Sequence, residues 1–420
     1  MALEAEIITV GDELLTGGRV NTNAAVLGER LLAAGVDTRW TTVVRDDESE
    51  IAGALRRAAR RARVVVVTGG LGPTADDRTR KGVARAARSR LVIHEDLLER
   101  MRARWSTRGQ RMPGINAVQA EIPSKATVID NRVGTAPGFR LSVAGADVFV
   151  VPGVPAEMVG MLEDSILPAL EGRRKRVVKR FRTLHTVGWP ESRIAERMAE
   201  RLKPGDAGSV SYLPLPGGVD LRIGVTGAPA RVDRMLERAV GRIRGALGEI
   251  VYGTDDDRLE QVVGAGLSAR GWKIAVAESC TGGLISSLLT DVPGSSAYFE
   301  RGVVAYGNRA KVSMLGVDPA LIRTCGAVSG EVAVAMARGV RRLGRTHIGL
   351  SATGIAGPGG GTAAKPVGLV YVGLAAGRRG AAVPYRFPGP RRGVKLRTAR
   401  AALNLLRLYL ENGTVGEPDG

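Results

Sequence analysis

Short apolar blocks alternate with amphipathic stretches along most of the chain. Glu6–Val10 and Thr38–Val44 read as strands, and Asn23–Ala34 and Ile51–Ala62 as helices. Ala25, Val26, Leu31 and Leu32 mark the apolar stripe of the first helix. Val64–Thr68 opens with four consecutive valines, the pattern of a strand covered on both faces. Val148–Val151 reads the same way, followed by Pro152-Gly153-Val154-Pro155 and a helix through Met158, Met161 and Leu162. This strand–helix rhythm implies a mostly parallel, doubly wound α/β sheet.

The rhythm changes between residues 175 and 250. Arg182–Val187 and Leu221–Val225 read as strands and Arg193–Leu202 as a helix. Val232, Met235, Leu236, Ala239, Val240, Ile243 and Leu247 recur at the helical period. This is the pattern of a small α+β subdomain, with Gly253–Asp257 as a linker behind it. A helix at Leu259–Ala269 then opens a second α/β region. Its strands are expected at Lys273–Ala277, Gly302–Ala305, His347–Ser351, Leu369–Leu374 and Ala382–Phe387. Helices should follow Ser279, Ser329 and Pro390. The expected division is 1–172, 173–252 and 258–412, with a frayed end at 413–420.

A length of 420 residues with 44% hydrophobic content fits two to three globular domains. No apolar run approaches the ~18 residues of a membrane helix. The first residues lack a basic region followed by an apolar one, so a cytoplasmic protein is expected. Two cysteines, Cys280 and Cys325, exclude a disulfide framework or a Cys-rich zinc site. Three scattered histidines, His94, His185 and His347, disfavour histidine metal centres and a Ser-His-Asp triad. They are read as structural.

The net charge of +19 raises a nucleic-acid reading. Only nine of the 61 basic residues are lysine, and arginines such as Arg56, Arg57, Arg60, Arg61 and Arg63 are spread along helices. Most therefore read as solvated faces. Aromatic residues make up 4% of the chain, too few for a stacking platform. One dense cluster stands apart: Arg173-Arg174-Lys175-Arg176 with Lys179, Arg180 and Arg182.

Two stretches carry candidate chemistry in the first region. The first strand runs into Gly11-Asp12-Glu13. The valine strand runs into Thr68-Gly69-Gly70-Leu71-Gly72-Pro73-Thr74, then Asp76-Asp77. Strand ends of this kind form ligand crevices in open α/β sheets. Glycines let backbone amides approach a phosphate, and a following helix favours an anion. Asp12, Asp76 and Asp77 would suit a hydrated divalent cation or ribose hydroxyls. One such motif is explained equally well as a turn with an N-cap. Two in one domain favour a site.

These residues resemble the signature of molybdopterin-binding domains of the MoaB/MogA type, and more closely the N-terminal domain of the CinA family. Gly11-Asp12-Glu13-Leu14-Leu15, Asn116, Gln119, Asn131, Gly134-Thr135-Ala136-Pro137-Gly138 and Glu157-Met158 carry the same resemblance. It implies nucleotide binding at Gly11, Gly69, Gly70, Gly72, Thr74 and Asp77. It also implies, as in some members, ADP-ribose pyrophosphatase activity with Mg²⁺, Mn²⁺ or Co²⁺ held by Asp12, Asp76 and Asp77. A molybdopterin role is disfavoured because the last domain points elsewhere.

The third region contains Glu278-Ser279-Cys280-Thr281-Gly282-Gly283, Tyr306-Gly307-Asn308 with Lys311, and Thr353-Gly354-Ile355-Ala356-Gly357-Pro358. A serine at a strand-to-helix turn sits where amides converge, and a lysine of depressed pKa can replace histidine as its base. Taken singly, Ser279 reads as an N-cap and Lys311 as a solvated lysine. Cys280 reads as a small buried hydrophobe. Composition and spacing do not select Ser279 and Lys311 as a pair.

The resemblance does. These segments, with Lys365-Pro366-Val367-Gly368, are similar to the C-terminal CinA domain, which includes nicotinamide-nucleotide amidases. It implies an α/β amidase domain that converts nicotinamide mononucleotide (NMN) and water to nicotinate mononucleotide and ammonia without a cofactor. Ser279 would be the nucleophile, Lys311 the base and Tyr306 a proton-network partner. The amides of Thr281, Gly282 and Gly283 would hold the oxyanion. Asn308, Thr353, Gly354, Gly357 and Arg391 would bind substrate. One departure stands out: the family's Gly-Asp-Arg-Glu stretch is Gly389-Pro390-Arg391-Arg392 here, so Arg391 remains and its acidic neighbours are lost. The resemblance implies a homodimer acting on small nucleotides, with no membrane and no nucleic-acid partner. The rival from another class is a non-enzymatic competence or DNA-repair adaptor using the cluster at Arg173–Arg182.

Overall fold

The computed structural model describes residues 3–107, 109–171 and 178–414. It divides into two compact units: one holds the chain to Arg180 plus Thr226–Val232, the other Phe181–Val225 plus the chain from Asp233.

In the first unit, β1 (Leu3–Val10), β2 (Val36–Val44), β3 (Val64–Thr68), β4 (Leu91–Ile93), β5 (Glu121–Pro123), β6 (Thr127–Ile129), β7 (Gly138–Val143) and β8 (Ala146–Val151) follow in chain order. Six of them form one sheet in the order β2-β1-β3-β8-β7-β6. The first four are mutually parallel, and β7 and β6 turn antiparallel at one edge. The valines of β3 explain why both faces need cover. Val65 and Val67 enter a core with Ile51, Leu55 and Ala58, whereas Val64 and Val66 enter one with Leu27, Leu31 and Met158. Side chains alternate across a strand, so consecutive valines feed two cores. β1 lies between β2 and β3, so the order in which strands are added across the sheet reverses there, and a crevice opens at their carboxyl ends.

A small sheet follows, of β9 (Val178–Thr186), β10 (Ser209–Leu215), β11 (Gly218–Gly227) and β12 (Val251–Thr254), ordered β10-β11-β9-β12. With helices Glu191–Arg201 and Pro229–Leu247 the chain order is βαββαβ, a split βαβ arrangement. Leu236, Ala239, Val240, Ile243 and Leu247 are buried as the period predicts, but Met235 is exposed. The linker expected at Gly253–Asp257 needs correction, because Gly253 and Thr254 pair with His185 and Leu184 as part of β12.

The last sheet has β13 (Ile274–Glu278), β14 (Phe299–Val304), β15 (Ile348–Gly354), β16 (Leu369–Ala376) and β17 (Arg379–Arg386), ordered β14-β13-β15-β16-β17. β14, β13 and β15 are parallel; β16 and β17 are antiparallel. Ile274 and Val276 meet Val263, Leu267 and Leu406 on one face, while Ala275 and Ala277 meet Val332, Met336 and Val340 on the other. Among the described residues no helix is long and apolar enough to cross a membrane.

Candidate functional site: a buried serine–lysine pair and a glycine-walled cleft

The serine–lysine pair sits where β13, β14 and β15 end side by side. Ser279 follows β13, and its amide donates to Ala352 O of β15 at 2.9 Å. Lys311 lies in helix Asn308–Leu315 behind β14 and is 2% exposed. Its Nζ is 3.0 Å from Ser279 Oγ, 3.1 Å from Ala305 O and 3.0 Å from Tyr306 O. Two of these neighbours are carbonyls and can only accept. A neutral amine has two N–H groups for them and one lone pair, which then faces the serine hydroxyl. Burial pushes the Lys311 pKa down from 10.5, toward the form that can take a proton. Cys280 differs: burial raises its thiol to about 11, so it is not an activated nucleophile.

The turn after Ser279 is held from below by Glu278, which is fully buried. Its carboxylate accepts from the amides of Gly283, Ile285 and Ser286 at 3.0, 3.1 and 2.8 Å, and from Ser286 Oγ at 2.7 Å. The Gly282 amide donates to Ser279 O at 3.2 Å. Gly282 and Gly283 have φ of 63° and 96°, which glycine adopts without the steric cost that a Cβ brings. The expected oxyanion group of Thr281, Gly282 and Gly283 therefore needs correction, since the last two amides are already used. Thr281 is fully buried, and its hydroxyl is unpartnered among the described residues.

Tyr306 enters the network through its carbonyl. Its side chain is 56% exposed, and its phenol oxygen accepts from Arg391 Nη2 at 2.6 Å. Arg391 also donates to Gly357 O at 2.7 Å, which ties the last helix, Arg391–Asn412, to the loop after β15. Asn308 is exposed in the first turn of its helix. Thr353 donates to Ala327 O at 2.8 Å. Gly354 and Gly357 are required sterically: a Cβ would collide with Val370 at the first and lie 2.6 Å from Val367 at the second. Cys280, Ala356, Val370 and Val394 pack together beneath these loops. Sequence reasoning passed over Lys395. Its Nζ lies 3.3 Å from where a Gly282 Cβ would stand, and only the folded chain brings the two together.

The first unit has a cleft of about 650 Å³ at the ends of β1, β3 and β8. Gly11, Gly69, Gly70, Gly72, Asp76 and Asp77 line it, together with Glu13, Asp46 and Gln119. A Cβ at Gly69 would collide with Val10 O, and one at Gly70 with Thr79 Oγ1. Arg80, buried at 4% exposure, donates to Leu71 O and Gly72 O at 2.7 and 2.9 Å and clamps the loop. Asn131 braces another rim, donating to Ala136 O and Glu157 Oε2.

Asp12 and Thr74 are not among the lining residues. Asp12 exchanges backbone-to-carboxylate bonds with Asp46 at 3.0 and 3.3 Å. Asp77 accepts from Gly72 N, Thr74 N and Thr74 Oγ1 at 2.7, 2.8 and 2.5 Å, so its carboxylate shapes the loop. Asp46 has a raised pKa from burial, with the charges of Asp12, Glu13 and Asp76 adding to it. Among the described residues no three His, Cys, Asp or Glu side chains converge to hold a metal. Asp12, Asp76 and Asp77 do not fit as a ready ligand set, because two of the three are committed to backbone amides.

Arg173–Arg176 lie outside the described residues. Of the rest of that cluster, Arg182 pairs with Glu237 and Asp255 at 2.7 and 3.0 Å, and Arg180 donates to Ala33 O at 2.5 Å. His185 bridges Asp220 Oδ1 at 2.8 Å and Asp255 O at 2.7 Å.

Fold and site define an α/β protein of three parts, with a glycine-walled cleft in the first and a serine–lysine pair in the last. Residues 6–172 match the probable molybdopterin-binding domain family, 181–253 the KH domain of damage-inducible protein CinA, and 256–410 the CinA C-terminal domain. The chain is 41% identical over 409 residues to a putative competence-damage inducible protein of Caldicellulosiruptor saccharolyticus, covering 97% of this chain and 99% of that one. It is 43% identical over 409 residues to one from Moorella thermoacetica, covering 96% and 98%. A solved CinA protein of unknown function from Thermoplasma acidophilum is 41% identical and covers 41% of this chain and 98% of its own, with a TM-score of 0.37. The chain belongs to the CinA family of competence-damage inducible proteins.

Proposed function

We propose that the C-terminal domain hydrolyses the carboxamide of NMN, giving nicotinate mononucleotide and ammonia. The observation that carries this reading is the buried Lys311 amine, held by two carbonyls with Ser279 Oγ at 3.0 Å. Neutral Lys311 takes the Ser279 proton as Oγ attacks the carboxamide carbon. The tetrahedral intermediate collapses as the C–N bond breaks, and Lys311 returns the proton to the leaving nitrogen, which departs as ammonia. Water then attacks the acyl-serine ester with Lys311 again as base, releasing the carboxylate and restoring the serine. No cofactor enters this sequence.

The test is ammonia release from NMN by the purified protein and by Ser279→Ala. Release by wild type and its loss in the variant are expected. No release by wild type, or full activity in Ser279→Ala, overturns the reading.

For the N-terminal cleft we infer binding of a nucleotide diphosphate such as ADP-ribose, supported by the glycine-walled loop and the polar lining. Metal-dependent cleavage is the finer reading. No step is assigned through a metal, because the carboxylates do not converge as a ligand set. Incubating ADP-ribose with Mg²⁺, Mn²⁺ or Co²⁺ separates the two: AMP supports cleavage, and no AMP with any of them leaves a binding module. Both activities would serve pyridine-nucleotide salvage in a cytoplasmic homodimer. Steeply salt-dependent DNA binding, lost on neutralising the cluster at Arg173–Arg182, would favour the adaptor role instead.

A further inference from the structure

Glu278 is a fully buried carboxylate for which the proposed reaction has no direct use. Among the described residues no cation lies at ion-pair distance from it. Its charge is met by four donors instead, all from the segment just after the nucleophile: Gly283 N, Ile285 N, Ser286 N and Ser286 Oγ. A buried carboxylate persists only where such bonds replace its water. Here they also draw the next helix onto the end of β13 and set the path of residues 279–283.

This has a consequence for the amides. Ser279 N is spent on Ala352 O and Gly282 N on Ser279 O. Gly283 N is spent on Glu278. Within residues 279–283 only the amides of Cys280 and Thr281 bond no other residue among the described residues; the Cys280 amide meets its own thiol alone. They lie on the residues directly after the nucleophile, where negative charge develops as Ser279 attacks a carbonyl.

We infer that Glu278 is a positioning residue. By saturating the amides of Gly283, Ile285 and Ser286 it holds the turn so that Cys280 N and Thr281 N are the donors for the oxyanion. This rests on the reading of Ser279 as the nucleophile. Glu278 touches no substrate; it acts through the turn. Glutamine in its place keeps the shape, but its NH₂ group faces donors where a carboxylate oxygen accepted.

The experiment uses the full chain and an alkyl fluorophosphonate, which needs the same nucleophile and oxyanion donors but no NMN. Ser279 Oγ forms a bond to phosphorus, fluoride leaves, and the serine proton passes to Lys311. Mass spectrometry gives the fraction of Ser279 labelled, and the time course gives the rate constant for the active fraction. Glu278→Gln should lower that rate constant about 100-fold at unchanged final labelling, the scale of an ångström-sized misplacement. A rate constant equal to wild type overturns the inference. So does a smaller labelled fraction reacting at the wild-type rate, which is what a purely structural role produces. Should Glu278→Gln fail to fold, Ser286→Ala decides. It removes one of the four bonds and should slow labelling several-fold; an unchanged rate again overturns the inference. A wild type labelled nowhere on Ser279 overturns the nucleophile and this inference together. Normal ammonia release with undiminished Glu278→Gln labelling overturns the inference alone.

Discussion

Replacing Lys311 by methionine separates the chemistry of the buried amine from its packing. The side chain is 2% exposed, and methionine fills nearly the same volume without the nitrogen. Two bonds to the carbonyls of Ala305 and Tyr306 are lost. At about 1 kcal/mol net each, their loss costs about 2 kcal/mol. Removing an amine that burial already holds below its ordinary pKa offsets part of this, so Lys311→Met should fold. Catalysis has no such offset. A positioned general base contributes roughly 10²–10⁴-fold, so ammonia release should fall by at least about 100-fold. The assay is NMN-dependent ammonia release beside a thermal melt. In wild type the rate should rise with pH through a midpoint below 10.5, because the neutral amine is the active form. The same shift makes the folded state bind fewer protons than the unfolded one, so this group's contribution to stability grows as pH rises toward 10.5. A folded Lys311→Met variant keeping more than about a tenth of wild-type activity refutes the reasoning.

Two further outcomes follow from the same structure. His185 faces acceptors with both ring nitrogens, and its pKa is raised from 6.5, first by its bond to Asp220. Its stabilising effect is therefore full below pH 6.5 and is lost as pH rises through the folded pKa; denaturation across pH should show this decline in wild type and not in His185→Gln. Gly70 has φ of 64° and no room for a Cβ beside Thr79. Gly70→Ala should cost at least about 1–3 kcal/mol, raise hydrogen exchange across residues 69–83, and abolish nucleotide binding in the first cleft; wild-type protection would contradict this.

Periodicity located most elements because burial writes itself into sequence wherever an element is covered on one or two faces. The valines of β3 and the stripe of helix Glu48–Arg61 are examples. β12 was missed because four residues with two glycine or threonine positions carry no such pattern; it is a strand only because β9 supplies the ladder. The motifs named the loops that build both sites, since glycines at positive φ and strand-end carboxylates are local requirements. Which atoms of those loops remain for a ligand was not legible. Asp77 and Asp12 read as metal ligands, yet Asp77 bonds amides of its own loop and Asp12 the amide of Asp46 after the neighbouring strand, because a carboxylate beside unpaired N–H groups satisfies them first.

The chain alone determined that the last domain lacks a nearby histidine and that the rare Lys311 stands near a strand end. Tertiary structure decided that Lys311 is buried, that two carbonyls flank it, and that its third neighbour is Ser279, 32 positions away. It also decided that Glu278 closes one set of amides while Cys280 and Thr281 keep theirs. Such outcomes depend on which groups reach one another across parallel strand ends. Spacing along a chain does not encode that, because the pairing of β13 with β14 and β15 sets it.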